Sequence, residues 1–164
     1  MSAVISECGL YRYRLERECS LPFDGSKTFA YFGINPSTAD ATIDDATVRK
    51  WRGFTIRNGG HRFIVGNVFS YRSTDVRELA KVPFQQGPQH FSHLQRIIGD
   101  ADVLVPCWGN SGKVPKHLRE EILILIYWLR SSSKPVMHFG LTASGDPKHP
   151  LMLGYDTPLT EWVK

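Results

Sequence analysis

Apolar residues along the chain follow two rhythms. Residues 10–19 alternate apolar and polar with a period of two, which predicts a half-exposed strand. Its polar side carries Arg12, Arg14, Glu16 and Glu18, the kind of charge that guards an edge strand. Residues 27–34 form a nearly unbroken apolar run, as expected of a central strand covered on both faces. Residues 63–68 and 102–107 repeat that signal, and 135–139 supply a final strand.

Between these runs the spacing lengthens to that of a helix. Val48, Trp51 and Phe54 make a buried stripe on a helix predicted to follow Asp45 and run to about Arg57, with Arg49, Lys50, Arg52 and Arg57 on its other faces. Asp44 and Asp45 stand where carboxylates cap free N–H groups and oppose the positive end of the helix dipole. Asn58-Gly59-Gly60 ends it. A short helical turn is predicted over 75–81 and a helix over 88–99. A third helix opens at Pro115 and runs to about Arg130. That last helix is apolar almost all round and is expected to be well buried. Strand–helix–strand three times over implies an α/β fold: a three-layer sandwich with a central, mainly parallel sheet and right-handed crossovers.

Length and composition narrow this to a single α/β domain over 1–164. With 164 residues, 41% of them apolar, the chain can bury one core, and it is too apolar for disorder. No segment approaches the roughly 20 apolar residues of a membrane span. The N-terminus lacks a basic region before an apolar stretch, so no signal peptide is visible. A soluble, cytoplasmic protein is expected, from a bacterial or phage-infected cell, with no membrane partner. Cys8, Cys19 and Cys107 form no CxxC pair, so zinc ribbons, thioredoxin-like sites and iron–sulfur clusters lack their ligands. Reduced, mostly buried thiols are expected instead. The net charge of +4 suits an anionic partner without requiring one.

Ligands of open α/β sheets bind beyond the carboxyl ends of the strands. The segments that follow the predicted strands are 33–40, 67–74, 108–113 and 140–150. Asn35, Asn67 and Asn110 lie in three of them, and Phe69, Tyr71 and Trp108 in two. Carboxamides match both edges of a planar heterocycle, because each has a donor and an acceptor. The aromatic rings would stack on its face. Arg72, Lys113 and Lys148 would hold phosphates. Asp40, Asp44 and Asp45 would ligate a divalent cation, although capping explains Asp44 and Asp45 more simply. His90 and His93 have a metal-compatible spacing, but a solvated helix face is the simpler reading, and no metal site is expected.

The segments Gly-Ile-Asn-Pro-Ser-Thr-Ala-Asp at 33–40, Gly-Asn-Val-Phe-Ser-Tyr-Arg-Ser-Thr at 66–74 and His149-Pro150-Leu151 resemble a widespread family of bacterial and phage domains of unknown function, over about 28–160. More distantly, Gly33-Ile34-Asn35-Pro36 is similar to the first motif of mismatch-type uracil/thymine-DNA glycosylases. That resemblance implies a uracil-DNA glycosylase-like fold. It implies that Asn35 positions the attacking water, that Asn67 reads the base edge, and that His149 opens the last motif and donates to a developing oxyanion. Gly33, Ile34, Pro36, Ser37 and Phe69 would complete the base site. Arg49, Arg52, Arg72 and Lys148 would bind the flanking phosphates of DNA. Ser37 stands where those enzymes have Gly, and Leu151 where Ser is usual.

The function so implied is nucleobase recognition with hydrolysis of the N-glycosidic bond of a uracil-like or modified base, without a cofactor. Such cleavage passes through an oxocarbenium-like sugar and an anionic departing base, and asks for hydrogen-bond donors and a placed water. A base in a duplex would first be flipped out. Two alternatives keep the same fold: a non-catalytic module that binds nucleic acid or a nucleotide, and a hydrolase of free nucleosides or nucleotides. A metal-dependent phosphoryl-transfer enzyme using Asp40, Asp44 and Asp45 is a third.

Overall fold

The computed structural model describes residues 1–37 and 39–162. Five strands, β1 (Ser2–Ile5), β2 (Arg12–Glu18), β3 (Lys27–Gly33), β4 (Gly60–Asn67) and β5 (Val103–Pro106), form a sheet in the order β1-β2-β4-β3-β5. β3 pairs in parallel with β4 and β5, whereas β2 is antiparallel to both β1 and β4. Four strands therefore point one way and β2 alone is reversed. The sheet is mixed, with its parallel part at the centre.

Side chains along the central strands sort by parity, as the pleat requires. Phe29 and Tyr31 of β3 enter one apolar cluster, and Ala30 and Phe32 enter the other. Phe63 and Val65 of β4 part from Ile64 in the same way, as do Val103 and Val105 of β5 from Leu104. Helix α1 (Ala46–Arg57) gives Val48, Trp51 and Phe54 to the first cluster. Helices α2 (His90–Asp100) and α3 (Glu120–Ser131) give Leu94, Ile97, Ile122, Leu125 and Leu129 to the second. Strands apolar on both sides need a helix on each, and three layers result. Each large apolar side chain that leaves water contributes roughly 1.5–3 kcal/mol, which holds the helices to the sheet.

Local signals set the ends of α1. The Asp45 carboxylate accepts the Val48 N–H at 2.9 Å, while Asn58 and a left-handed Gly59 (φ 76°) stop the last turn. Asp44 instead pairs with Arg17 and Arg52, and Asp40 accepts the backbone N–H groups of Thr42 and Ile43. All three carboxylates thus have structural partners.

Several elements depart from the sequence pattern. β2 is interior, because residues 2–5 pair along it with Ala3 opposite Leu15, and Arg12 is buried. The helix expected from Pro115 breaks into a 3-10 turn, Lys116–Leu118, and α3. α3 is an outer-layer helix, so it buries one stripe and leaves Leu123 and Tyr127 exposed. The strand expected over 135–139 shrinks to β6 (Met137–His138), which pairs with β7 (Thr160–Glu161) in a separate two-stranded sheet. Among the described residues it meets the central sheet through an isolated Leu104–Val136 bridge, since Pro135 has no N–H to donate. Cys107 is buried and Cys19 half-buried, but Cys8 is exposed. No helix among the described residues is long and apolar enough to cross a membrane.

His90 is the clearest correction on α2. It is buried rather than solvated, and burial pushes its pKa down to about 4. His93 stacks on Tyr13, with ring centroids 5.2 Å apart. Because the folded His90 resists protonation more than the unfolded chain does, its contribution is complete above pH 6.5 and is lost as pH falls toward 4. The loss at pH 4.5 is about 2–3 kcal/mol, from roughly 1.4 kcal/mol for each tenfold fall in proton affinity. His93, His138 and His149 are lowered as well, so urea unfolding at pH 7 and pH 4.5 should compare wild type with His90→Gln. The substitution is expected to reduce the pH dependence by about 2–3 kcal/mol between those two pH values, leaving what the other three imidazoles contribute. An unaltered dependence would show that this imidazole is not responsible.

Candidate functional site

β3 is followed by a helix on one face of the sheet and β4 by a helix on the other. At such a divergence the carboxyl ends of two parallel strands open into a crevice. The two departing loops stay zipped for several residues. Gly33, Ile34 and Pro36 carbonyls accept the N–H groups of Val68, Phe69 and Ser73 at 2.8–2.9 Å. The Asn35 Nδ2 donates to Ser73 O at 2.8 Å and to Pro36 O at 3.2 Å. Two carbonyl acceptors need a donor, which fixes the amide orientation and leaves Asn35 Oδ1 with no partner among the described residues.

The crevice encloses about 400 Å³. Gly33, Ile34, Asn35, Ser37, Asn67 and His149 all line it. Asn67 ends β4 directly opposite Gly33. A Cβ at residue 33 would lie 3.0 Å from Asn67 Oδ1, so the glycine makes room for that carboxamide. Asn67 is 6% exposed, and no hydrogen bond of its side chain to the described residues is present.

His149 comes from the opposite rim. Gly109, left-handed at φ 76°, donates its N–H to Pro147 O, and the Ser111 N–H and hydroxyl both bind the Asp146 carboxylate. These bonds bring Trp108, Lys113 and His149 together on the cavity wall. Burial lowers the His149 pKa, Lys113 lowers it further, and Asp45 opposes them. The His149 Nδ1 accepts the Leu151 N–H at 3.3 Å, so the neutral ring carries its proton on Nε2.

Trp51 of α1 and Trp108 supply the flat apolar surface, each about nineteen-twentieths buried. Trp51 stacks on Tyr31 at 5.6 Å between ring centroids. Charge in the cavity is mixed: Arg12 and Lys113 against Asp45 and Asp75. Arg12 sits 4% exposed, and burial lowers its pKa to about 10.

The other sequence candidates lie elsewhere. Phe69 is fully buried in the core beneath α2 and α3 and does not line the cavity. Pro36 is buried behind the wall, where it contributes only its carbonyl. Tyr71 packs edge-on against Tyr11. Arg49 donates to Asp44 O, Arg52 to Glu18 O, and Lys148 lies beside Gly140, all outside this cavity. Arg72 lines a second, adjoining cavity.

Sequence reasoning misses Arg12, Thr47, Trp51 and Asp75. Arg12 is unreachable without knowing that β2 is reversed, since reversal puts the start of β2 level with the ends of its neighbours. Trp51 is legible as a core residue of α1, but not as one whose edge reaches the crevice.

The structure thus defines an α/β domain with a polar, tryptophan-lined crevice where two central strands diverge. The chain belongs to the family described as "Protein of unknown function (DUF1643)", whose model matches residues 12–151. The match begins earlier than the resemblance at 28–160 and takes in β2 with Arg12. No curated protein and no solved structure matches the chain.

Proposed function

We propose that this crevice recognises a nucleobase and that the protein hydrolyses its N-glycosidic bond, on a fold akin to that of uracil-DNA glycosylases. The observation that carries the reading is the meeting of Asn35 and Asn67, from successive parallel strands, in one cavity walled by two indoles. The resemblance of 33–36 to a glycosylase motif, with the roles it implies for Asn67 and His149, supplies the reaction.

The roles follow from which atoms are free. Asn35 spends its NH2 on two carbonyls and keeps Oδ1 to orient a water. Asn67 has both a donor and an acceptor for a base edge. The His149 Nε2–H would donate to the oxygen of the departing anionic base, a role that suits a neutral imidazole. The bond to the sugar breaks as negative charge moves onto the base, and the water oxygen then bonds to the anomeric carbon while its proton passes to the departed base anion, giving the neutral base and a free hemiacetal.

Free base released from uracil-, hypoxanthine- and modified-pyrimidine-containing oligonucleotides, single- and double-stranded, and from the matching nucleosides tests this by chromatography. Asn35→Ala is expected to slow release by roughly 100-fold, the cost of a misplaced reactant. Tight binding with no release by the wild type would replace the hydrolase with a binding module. Neither binding nor release across the panel would end the base reading.

A further inference from the structure

Arg12 is left unexplained by base recognition. Its Nη1 donates to Ala39 O at 2.6 Å, but its Nε is buried with no partner among the described residues. A cation taken out of water is costly unless a counter-charge meets it. Asp45 is the carboxylate that most favours its charged form, yet Asp45 is already occupied in capping α1.

A second cavity of about 390 Å³ adjoins the first, and Ser37, Ser73 and Thr74 line both. Arg72 lines this second cavity and not the first. Its Nε is also buried without a partner among the described residues, and Nη1 makes only a 3.4 Å contact with Gly9 O. Charge repulsion from Arg72 adds to burial in lowering the Arg12 pKa. Two under-bonded guanidinium groups held on either side of a hydroxyl-bearing edge are short of one anion. Guanidinium favours phosphate because its planar fork matches two phosphate oxygens.

We propose that the rim at Ser37, Ser73 and Thr74 is a phosphate-ester subsite, with Arg12 binding from inside the crevice and Arg72 from the outer cavity. Asp75, which also lines the crevice, does not oppose this strongly, because its carboxylate is held by Arg77. The ligand is then a nucleotide, its base in the crevice and its phosphate on the rim. That identification of the ligand rests on the base reading; the subsite itself does not.

Inorganic phosphate probes the subsite independently of any base. Titration calorimetry at constant ionic strength should show saturable binding to the wild type. Arg12→Gln and Arg72→Ala are each expected to weaken it by roughly tenfold, the loss of one charge-assisted hydrogen bond. Arg96→Ala, at an exposed position on α2, should leave it unchanged. Arg72→Ala and Thr74→Val at the rim serve if Arg12→Gln does not fold. Absence of phosphate binding, or binding indifferent to Arg72→Ala and Thr74→Val, overturns the subsite even if nucleosides bind. A nucleoside monophosphate and an oligonucleotide of the same base then separate a free nucleotide from a phosphodiester backbone: the tighter ligand names the source. Phosphate binding with no nucleoside binding would leave the subsite standing and remove the base.

Discussion

Replacing Arg17 with methionine is expected to lower the free energy of unfolding by about 3–5 kcal/mol, the range for removing one partner of a buried ion pair. The side chain is fully buried, and its guanidinium is fully engaged. Nε pairs with Asp44 Oδ1 at 2.6 Å, Nη1 binds the Ser2 and Glu16 carbonyls, and Nη2 binds those of Asp40 and Ile43. Methionine refills most of the stem's volume, so the loss reports the polar head rather than a cavity. Two features hold the effect toward the lower end: the Asp44 carboxylate is 21% exposed, and Arg52 stays near it at 3.4 Å. Typical domains have only about 5–15 kcal/mol to lose, so the variant is expected to sit near the edge of folding at about 37 °C.

The same bonds tie β1, β2 and the 40–44 loop, which leads into Asp45 and the first turn of α1. Arg17→Lys retains the charge but not the fork, and should fall between wild type and Arg17→Met. Urea unfolding with an unchanged slope would report stability alone. A loss under about 1 kcal/mol for Arg17→Met would mean that water replaces these bonds readily and that the loop is held by other contacts.

Arg17 also shows where pattern reading stops. Its parity puts it on the apolar side of β2 with Leu15, and a periodicity rule has no way to tell a misplaced charge from a buried hub. Four of its five partners lie 15 to 27 residues away along the chain. Arg12 is hidden for a related reason, since it alternates with the charged positions while the group its side chain meets, Ala39 O, lies 27 residues away along the chain. The three central strands are legible because unbroken β-branched and aromatic runs have few alternatives inside a domain. The four-residue β1 and the two-residue β7 carry too little periodicity to see. Residues 135–139 read as a longer strand than they form, because a short apolar run has no means of showing that Pro135 denies it a ladder bond. At the crevice, the loop order along the chain is enough to bring Asn35, Asn67 and His149 together. It is not enough for Phe69, whose side chain turns into the core while its backbone N–H serves Ile34.

Removing the carboxamide of Asn67 separates function from fold more sharply than any other change. A buried asparagine that holds the structure together would cost about 1–3 kcal/mol on truncation, because its partners would be left unpaired. The Asn67 carboxamide bonds nothing among the described residues, so Asn67→Ala is expected to change stability by less than about 1 kcal/mol. Base recognition should suffer far more. A site built around hydrogen bonds to its ligand loses discrimination by several orders of magnitude when those bonds go, and kcat/KM for base release should fall by roughly 10²–10³-fold. Asn67→Asp sharpens the test, because a carboxylate keeps the shape and the acceptor but loses the NH2 donor and adds charge beside Gly33. If the ligand uses that donor, Asn67→Asp binds no better than Asn67→Ala; if it uses only the acceptor, part of the affinity returns. A large stability loss with base affinity intact would make Asn67 a strut of the sheet and leave the crevice without its reader.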